Sequence, residues 1–287
     1  MKIELGYGEV LAKSTEIPEG LKAGAYEMGW FCGSYYPGKI PLFSLLDSAF
    51  FAPEDPTLQA RLEMAVFEHP AIQEEMKKWN GKPLLPTPLE SYQMMGKKRI
   101  AKVEDLKNVR VRVSGEMAKP LEEFGAIKAL VPAPEVYTSL DKGILDMITF
   151  PGTYAFVSYK LNEISKYFVD KISLGAQPCV QVANLDAWNK LPADIQKLLL
   201  ELAPQTIKVT VDAFNAANEK NYPLFRQQGI EIIDFPAAER AKLLAVAEKH
   251  WKGWVEDKQK KNLPGQQVFD FTAAKIKELT GKDPLGR

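Results

Sequence analysis

Cysteine and histidine are nearly missing from this chain: 287 residues contain two of each. Cys32 and Cys179 form no CxxC pair and stand near neither His69 nor His250. That distribution gives no support to a zinc site or to a Cys/His nucleophile. A disulfide could join the two cysteines in an oxidising compartment, but their spacing does not favour it over two inert buried thiols. An excess of either charge is also missing. Lys+Arg and Asp+Glu both total 37, so the basic balance that marks a nucleic-acid binder is absent and no nucleic acid is expected as partner. Apolar runs such as Leu198-Leu199-Leu200 are short and interrupted, well below the roughly 20 residues of a membrane span. No GxGxxG follows a strand, and GxxxxGK[ST], GxSxG and HExxH do not occur, which removes the common nucleotide-binding, hydrolase and zinc-protease signatures. No cofactor and no metal are expected. Residues 1–5 already read as a strand, with no apolar stretch and small-residue cleavage site before it. Either the protein stays inside the cell or its natural beginning precedes Met1.

What is present is an α/β pattern with 46% hydrophobic residues, enough for one large domain or two medium ones. Strands are expected over 3–6 and 25–32, with a helix over 9–23 that Pro18 interrupts, and a turn over 33–38. A helix over 55–80 leads through a proline-rich connection at 83–88 into a long crossing strand over 84–95. The middle alternates most clearly. Strand 109–113 feeds helix 115–124, then strand 127–131, a short helix begun by Pro134 and ended by Gly143, and strand 144–150. A helix over 151–168 and strands over 171–174 and 179–184 follow. Asp186 is placed as the cap of a short helix. The last third is helical over 192–227 with a bend at Pro204, then a strand over 230–235 and helices over 237–261 and 267–280.

The stretch Val109-Arg110-Val111-Arg112-Val113 alternates, so both guanidinium groups share one face and the valines the other. Open α/β sheets place ligands at the carboxyl ends of their strands. Arg112 stands there, beside the start of the next helix, and its rigid fork matches a carboxylate with two parallel hydrogen bonds. The bland alternative is a surface ion pair; Arg110 is expected nearer the surface. Phe150 closes the later strand, Tyr154 lies one helical turn on, and Tyr35 and Tyr36 sit in the turn after an earlier strand. They read either as packing groups or as the walls of a small-molecule pocket. An enzyme acting on a carboxylic acid would also use Arg112 as a clamp, and would need an acid or base such as Glu116 or Glu135.

With these motifs on the page, the chain resembles the DctP-type extracytoplasmic solute-binding proteins of TRAP transporters. The resemblance rests on "DLKNVRVRVSGE", "FGA", "PAPEVYTSLDKGILDMITFP", "GSYYPGKIP" and "NLDAWNKLPADIQ", in order over essentially the whole length. It implies an α/β type II periplasmic-binding fold, two lobes joined by crossing strands and a long scaffold helix. Lobe I would take 1–89 and 178–217, lacking its first strand and helix; lobe II would take 90–177 and 218–287. It implies a periplasmic receptor, its signal peptide not present in this chain, that delivers a small organic acid to the TRAP membrane subunits as a monomer, with a dimer known in some relatives. No catalysis is implied. The family's carboxylate-gripping arginine maps onto Arg112, and the ligand-facing position before a proline onto Phe150. Phe150, Tyr154 and Tyr36 would line the apolar side, with Phe150 about one small-molecule length from the charge. Tyr92, Gln93 and Gln177 would supply polar contacts. Some relatives carry a second cation near 90–95; "ESYQMM" offers none, which points to a monocarboxylate.

Overall fold

A computed structural model describes residues 2–36, 38–113 and 115–286. Met1 and Pro37, on which the expected first strand and first turn touch, lie outside the described residues.

The strands are β1 (Met28–Cys32), β2 (Gly81–Pro86), β3 (Tyr92–Gly96), β4 (Arg110–Arg112), β5 (Ile127–Ala129), β6 (Met147–Pro151), β7 (Tyr167–Asp170), β8 (Cys179–Asn184) and β9 (Glu231–Asp234). They form two sheets, one ordered β1-β8-β2 and the other β5-β4-β6-β3-β7-β9. The first is antiparallel throughout. In the second, β4 runs parallel to β5 and β6, β3 antiparallel to β6 and β7, and β9 parallel to β7. The chain passes between the sheets after β2 and returns before β8, so residues 87–91 and 171–178 are the crossings. Helix Ala203–Gln227 packs on β2 of the first sheet and β9 of the second. This is the two-lobed α/β arrangement with a long spanning helix. A second tie is made at the C-terminus. Helix Ala237–Lys260 packs on Lys119–Glu123 of the second sheet's layer, while Gly265–Thr280 packs on Pro56–Phe67 beside the first.

Prolines decide where the structure departs from the expected elements. The helix begins only at Ile17, with Pro18 in its first turn, rather than running from residue 9. The stretch expected as one helix over 55–80 is two, Pro56–Phe67 and Pro70–Lys77, because Pro70 opens a new first turn capped by His69, whose Nδ1 accepts from the Ala71 N–H at 3.2 Å. The crossing strand expected over 84–95 is split into β2 and β3 by Pro86 and Pro88, which cannot donate to a ladder. Ala193–Glu201 and Ala203–Gln227 are separate helices, with Pro204 in the first turn of the second. Two further strands are corrected. Residues 3–6 have no regular structure, with Ile3 54% and Leu5 66% exposed; a strand needs a neighbour to take its backbone bonds, and none pairs with it among the described residues. The helix over 151–168 shrinks to Tyr154–Ser158, and the following strand falls on Tyr167–Asp170, where aromatic and β-branched residues favour it, not on 171–174.

Cys32 and Cys179 are directly opposed in the β1–β8 ladder and are disulfide-bonded. The bond ties the turn after β1 to the crossing before β8, a link further held by the Gly33 N–H on the Pro178 carbonyl at 2.9 Å.

Candidate ligand-binding site

The site is built around the carboxyl end of β4. Arg110 and Arg112 share a face but sit at different depths along the strand. Arg110, at the amino end, makes a two-pronged pair with Asp146, Nε to Oδ2 at 2.9 Å and Nη2 to Oδ1 at 2.8 Å, in partial contact with water. That pair holds the Asp146 carboxyl below its usual range, the hydrogen bonds from Arg110 being the main cause.

Arg112 has only 1% of its surface exposed. Its Nε donates to the Val131 carbonyl at 3.1 Å, Nη1 to the Thr149 carbonyl at 3.0 Å, and Nη2 to the Tyr35 hydroxyl at 3.0 Å. All three acceptors are neutral, and no carboxylate pairs with this guanidinium among the described residues. Val131 and Thr149 flank it within its own sheet. Tyr35 comes from the turn after β1 in the other sheet, so the two halves meet at this cation. The Thr149 hydroxyl donates back to the Arg112 carbonyl at 2.8 Å, fixing β4 against β6.

Phe150 lies directly under the charge, with the guanidinium carbon 4.6 Å from its ring centroid. This is a cation–π contact, closer than the expected small-molecule length. Tyr159 stacks on the same ring at 5.1 Å, and Phe156 meets it edge-on. Tyr92 opens β3 and Gln177 lies in the second crossing, and the two join: the Tyr92 hydroxyl donates to Gln177 Oε1 at 2.7 Å. Gln177 Nε2 is buried without a partner among the described residues. Burial pushes the Tyr92 phenol well up, Arg112 pulling the other way. Burial likewise raises Tyr154, with smaller contributions from Tyr92, Glu90 and Tyr159. Tyr154 stacks face to face on Phe214 of the long helix at 4.0 Å.

Thus Arg112 pairs with Phe150 and Tyr92 pairs with Gln177, the charge of Arg112 reaching the Tyr92 phenol, while Tyr154 stacks on the long helix. Gln93 and Tyr36 point elsewhere. Gln93 follows Tyr92 on β3 and so faces the opposite side; it bonds Ser173 through Nε2 to Oγ at 3.3 Å and through Oε1 from the backbone N–H at 3.2 Å. The Tyr36 hydroxyl donates to the Ser14 carbonyl and its ring meets Phe31 and Tyr35 edge-on. Sequence reasoning does not select Tyr159 at all, and it weighs Tyr35 beside Tyr36 as a pocket wall without keeping it among the candidate ligand contacts. Tyr35 carries the same turn signal as Tyr36, and only the direction of the 3₁₀ turn Gly33–Tyr35 separates them. No group of three His, Cys, Asp or Glu side chains gathers as metal ligands among the described residues, and there no helix is long and apolar enough to cross a membrane.

Comparison with known proteins agrees with this architecture. A monocarboxylate 2-oxoacid-binding periplasmic protein of Nostoc sp. is 23% identical over 275 residues, covering 94% of this chain and 73% of its own length. A TRAP solute-binding protein of Rhodoferax ferrireducens, crystallised with copurified benzoate, superposes with a TM-score of 0.82 at 20% identity, over 94% of this chain and 84% of that one. A TRAP periplasmic solute-binding protein of Desulfovibrio salexigens with bound orotic acid gives 0.84 at 20% identity, over 95% and 86%. The family described as bacterial extracellular solute-binding protein, family 7, known as DctP, matches residues 1–258, and the chain belongs to it.

Proposed function

We propose that this protein is the extracytoplasmic receptor of a TRAP transporter, that it closes over a small organic monocarboxylate, and that it hands the ligand to the membrane subunits. One observation carries the reading: Arg112 is a fully buried, permanently charged group whose hydrogen-bond partners among the described residues are all neutral. A buried charge without a counter-charge is costly. Two of its five N–H groups have no acceptor among the described residues, and a ligand carboxylate supplies both the charge and the acceptors in the fork geometry that arginine favours. The body of the acid rests among Phe150, Tyr159, Tyr92 and Tyr154. The unpartnered Gln177 Nε2 donates to an oxygen next to the carboxylate, as in a 2-oxo or 2-hydroxy acid. The ligands of the compared proteins, benzoate, orotic acid and a monocarboxylate 2-oxoacid, fit such a site. No step of bond chemistry is assigned; the work is closure of two lobes around the ligand, which shifts the open–closed population.

The test is mass spectrometry of small acids released from the purified protein, followed by calorimetry with each acid found. A released monocarboxylate that binds the wild type and not an Arg112 variant supports the reading. Binding that is indifferent to Arg112 overturns it.

A further inference from the structure

Asp47 is a fully buried carboxyl at the junction of the two halves, and the ligand reading has no use for it. It ends the 3₁₀ segment Phe43–Asp47, which lies in the chain between β1 and β2. Its Oδ2 accepts the backbone N–H of Glu116 at 2.8 Å. Glu116 belongs to the segment Gly115–Ala118, which leaves β4 directly after Arg112 in the other sheet. The bond therefore crosses between halves, a few residues from the cross-contact of Tyr35 and Arg112. The approach is close. Gly115 has φ +58°, and a Cβ placed there would lie 1.4 Å from Asp47 Oδ2; only glycine leaves room for the carboxyl. The second oxygen, Oδ1, is buried with no partner among the described residues, and so is the hydroxyl of Ser34 beside Gly115.

We propose that Asp47 is a cross-cleft latch, a positioning residue that seats the segment after Arg112 when the lobes close, and that closure draws a proton onto its carboxyl. The proposal rests on the receptor reading. In an open form the carboxyl meets water and is ionised at neutral pH. The buried arrangement described here, with the Glu116 N–H donating to Oδ2, is assigned to the closed form. Burial is the largest influence on it and raises its pKa well above the ordinary value; Glu116 adds to that, while the Glu116 N–H, Lys128 and Arg112 pull the other way. Lys128 itself donates to the Gly115 carbonyl at 3.2 Å. On helix Ala237–Lys260, packed against this region, the Trp254 indole N–H donates to Ser44 Oγ at 3.0 Å, and His250, whose pKa burial lowers, has Glu123 and Glu116 acting the other way. At the other end of the Asp47 segment, Glu75 accepts the Leu42 and Phe43 N–H groups. Because the closed form has the raised pKa, closure is least opposed below the ordinary carboxylate range and becomes harder as pH rises towards the raised value. The limiting slope is about tenfold in affinity per pH unit.

The experiment has two arms. Small-angle scattering of the ligand-free protein at about pH 5 and about pH 8 should show compaction on acidification in the wild type. In Asp47→Asn, which keeps the acceptor without a charge, the radius should not depend on pH. Calorimetry with benzoate as probe should give an affinity that falls with rising pH in the wild type and stays level in Asp47→Asn. His250→Gln should follow the wild type, and Gly115→Ala, which drives a methyl into the latch, should bind more weakly at every pH. Parallel pH profiles for the wild type and Asp47→Asn overturn the latch, as does a pH dependence that His250→Gln abolishes. If benzoate and every other acid fail to bind, the receptor reading fails, and the scattering arm still decides the latch.

Discussion

Arg112→Lys separates charge from geometry at the residue scale. The lysine keeps the positive charge but loses the fork, the three anchoring bonds and the guanidinium's contact with the Phe150 ring. Affinity for the bound acid should fall by about 2–5 kcal/mol, since one partner of a desolvated pair is degraded. Arg110→Lys, altering a partly exposed pair with Asp146, should leave affinity nearly unchanged; calorimetry on both variants checks the contrast. Gln177→Leu tests the unpartnered amide. It should weaken binding of a 2-oxo or 2-hydroxy acid by about 1–3 kcal/mol and that of benzoate far less, so equal losses for both would remove Nε2 from ligand recognition. Arg112 was legible in the sequence because strand alternation and strand-end position are periodic signals. Tyr35 was not, because the choice between Tyr35 and Tyr36 depends on a three-residue 3₁₀ turn. Tyr92 and Gln93 could be named as a pair, but which of them faces the cleft depends on the register of β3 against β6 and β7.

At the scale of elements, local punctuation was readable and partnership was not. Pro134 and Gly143 mark helix ends close to where they fall, whereas the fate of residues 3–6 and the pairing of Cys32 with Cys179 depend on what lies beside them in space. The disulfide clamps the turn carrying Tyr35 to the crossing carrying Gln177, over a sequence separation of 147. Replacing both cysteines by alanine should cost about 2–5 kcal/mol of stability, measured by denaturant unfolding, and should also weaken ligand binding because both segments loosen. Helix Pro56–Phe67 hides a different stress. Glu63 is fully buried, with Oε1 accepting from Gln59 Nε2 at 3.0 Å and Oε2 unpartnered among the described residues. Burial pushes its pKa well up. A raised pKa in the folded state gives a contribution that is whole below the ordinary value and lost as pH rises through the folded one. Glu63→Met should therefore be more stable than the wild type by about 1–3 kcal/mol at mildly alkaline pH, with the difference shrinking on acidification. Melting curves across pH check it, and a gap that does not change with pH would count against a buried, protonated Glu63.

For the whole molecule, the proposed closing of two lobes on a buried cation, Arg112, would set the class of acid that fits. In the proposed reading the cleft offers the ligand a single guanidinium, Arg112, which has no carboxylate partner among the described residues. The segment that carries a second cation in some relatives here carries Tyr92, whose hydroxyl is already committed to Gln177. The nearby basic residues are engaged outside it: Lys97 donates to the Asp141 carbonyl at 3.0 Å and Arg99 to Glu231 Oε1 at 2.8 Å. A second carboxylate, trapped when the lobes close, would be dehydrated with no counter-charge, which costs more than any contact it could make with the aromatic wall. An acid with one carboxylate and an apolar body instead buries its hydrocarbon against Phe150, Tyr159 and Tyr154, at about 25 cal/mol per Å² removed from water. A thermal-shift screen should therefore rank aromatic or branched 2-oxo and 2-hydroxy monocarboxylates above succinate and malate, by at least a factor of ten in calorimetric affinity, the equivalent of about 1.4 kcal/mol. The reverse order, with tight binding of the dicarboxylates and no response to apolar monocarboxylates, would mean that a second cation such as Lys97, Lys98 or Arg99 reaches the cleft and that the single-charge description of this site is wrong.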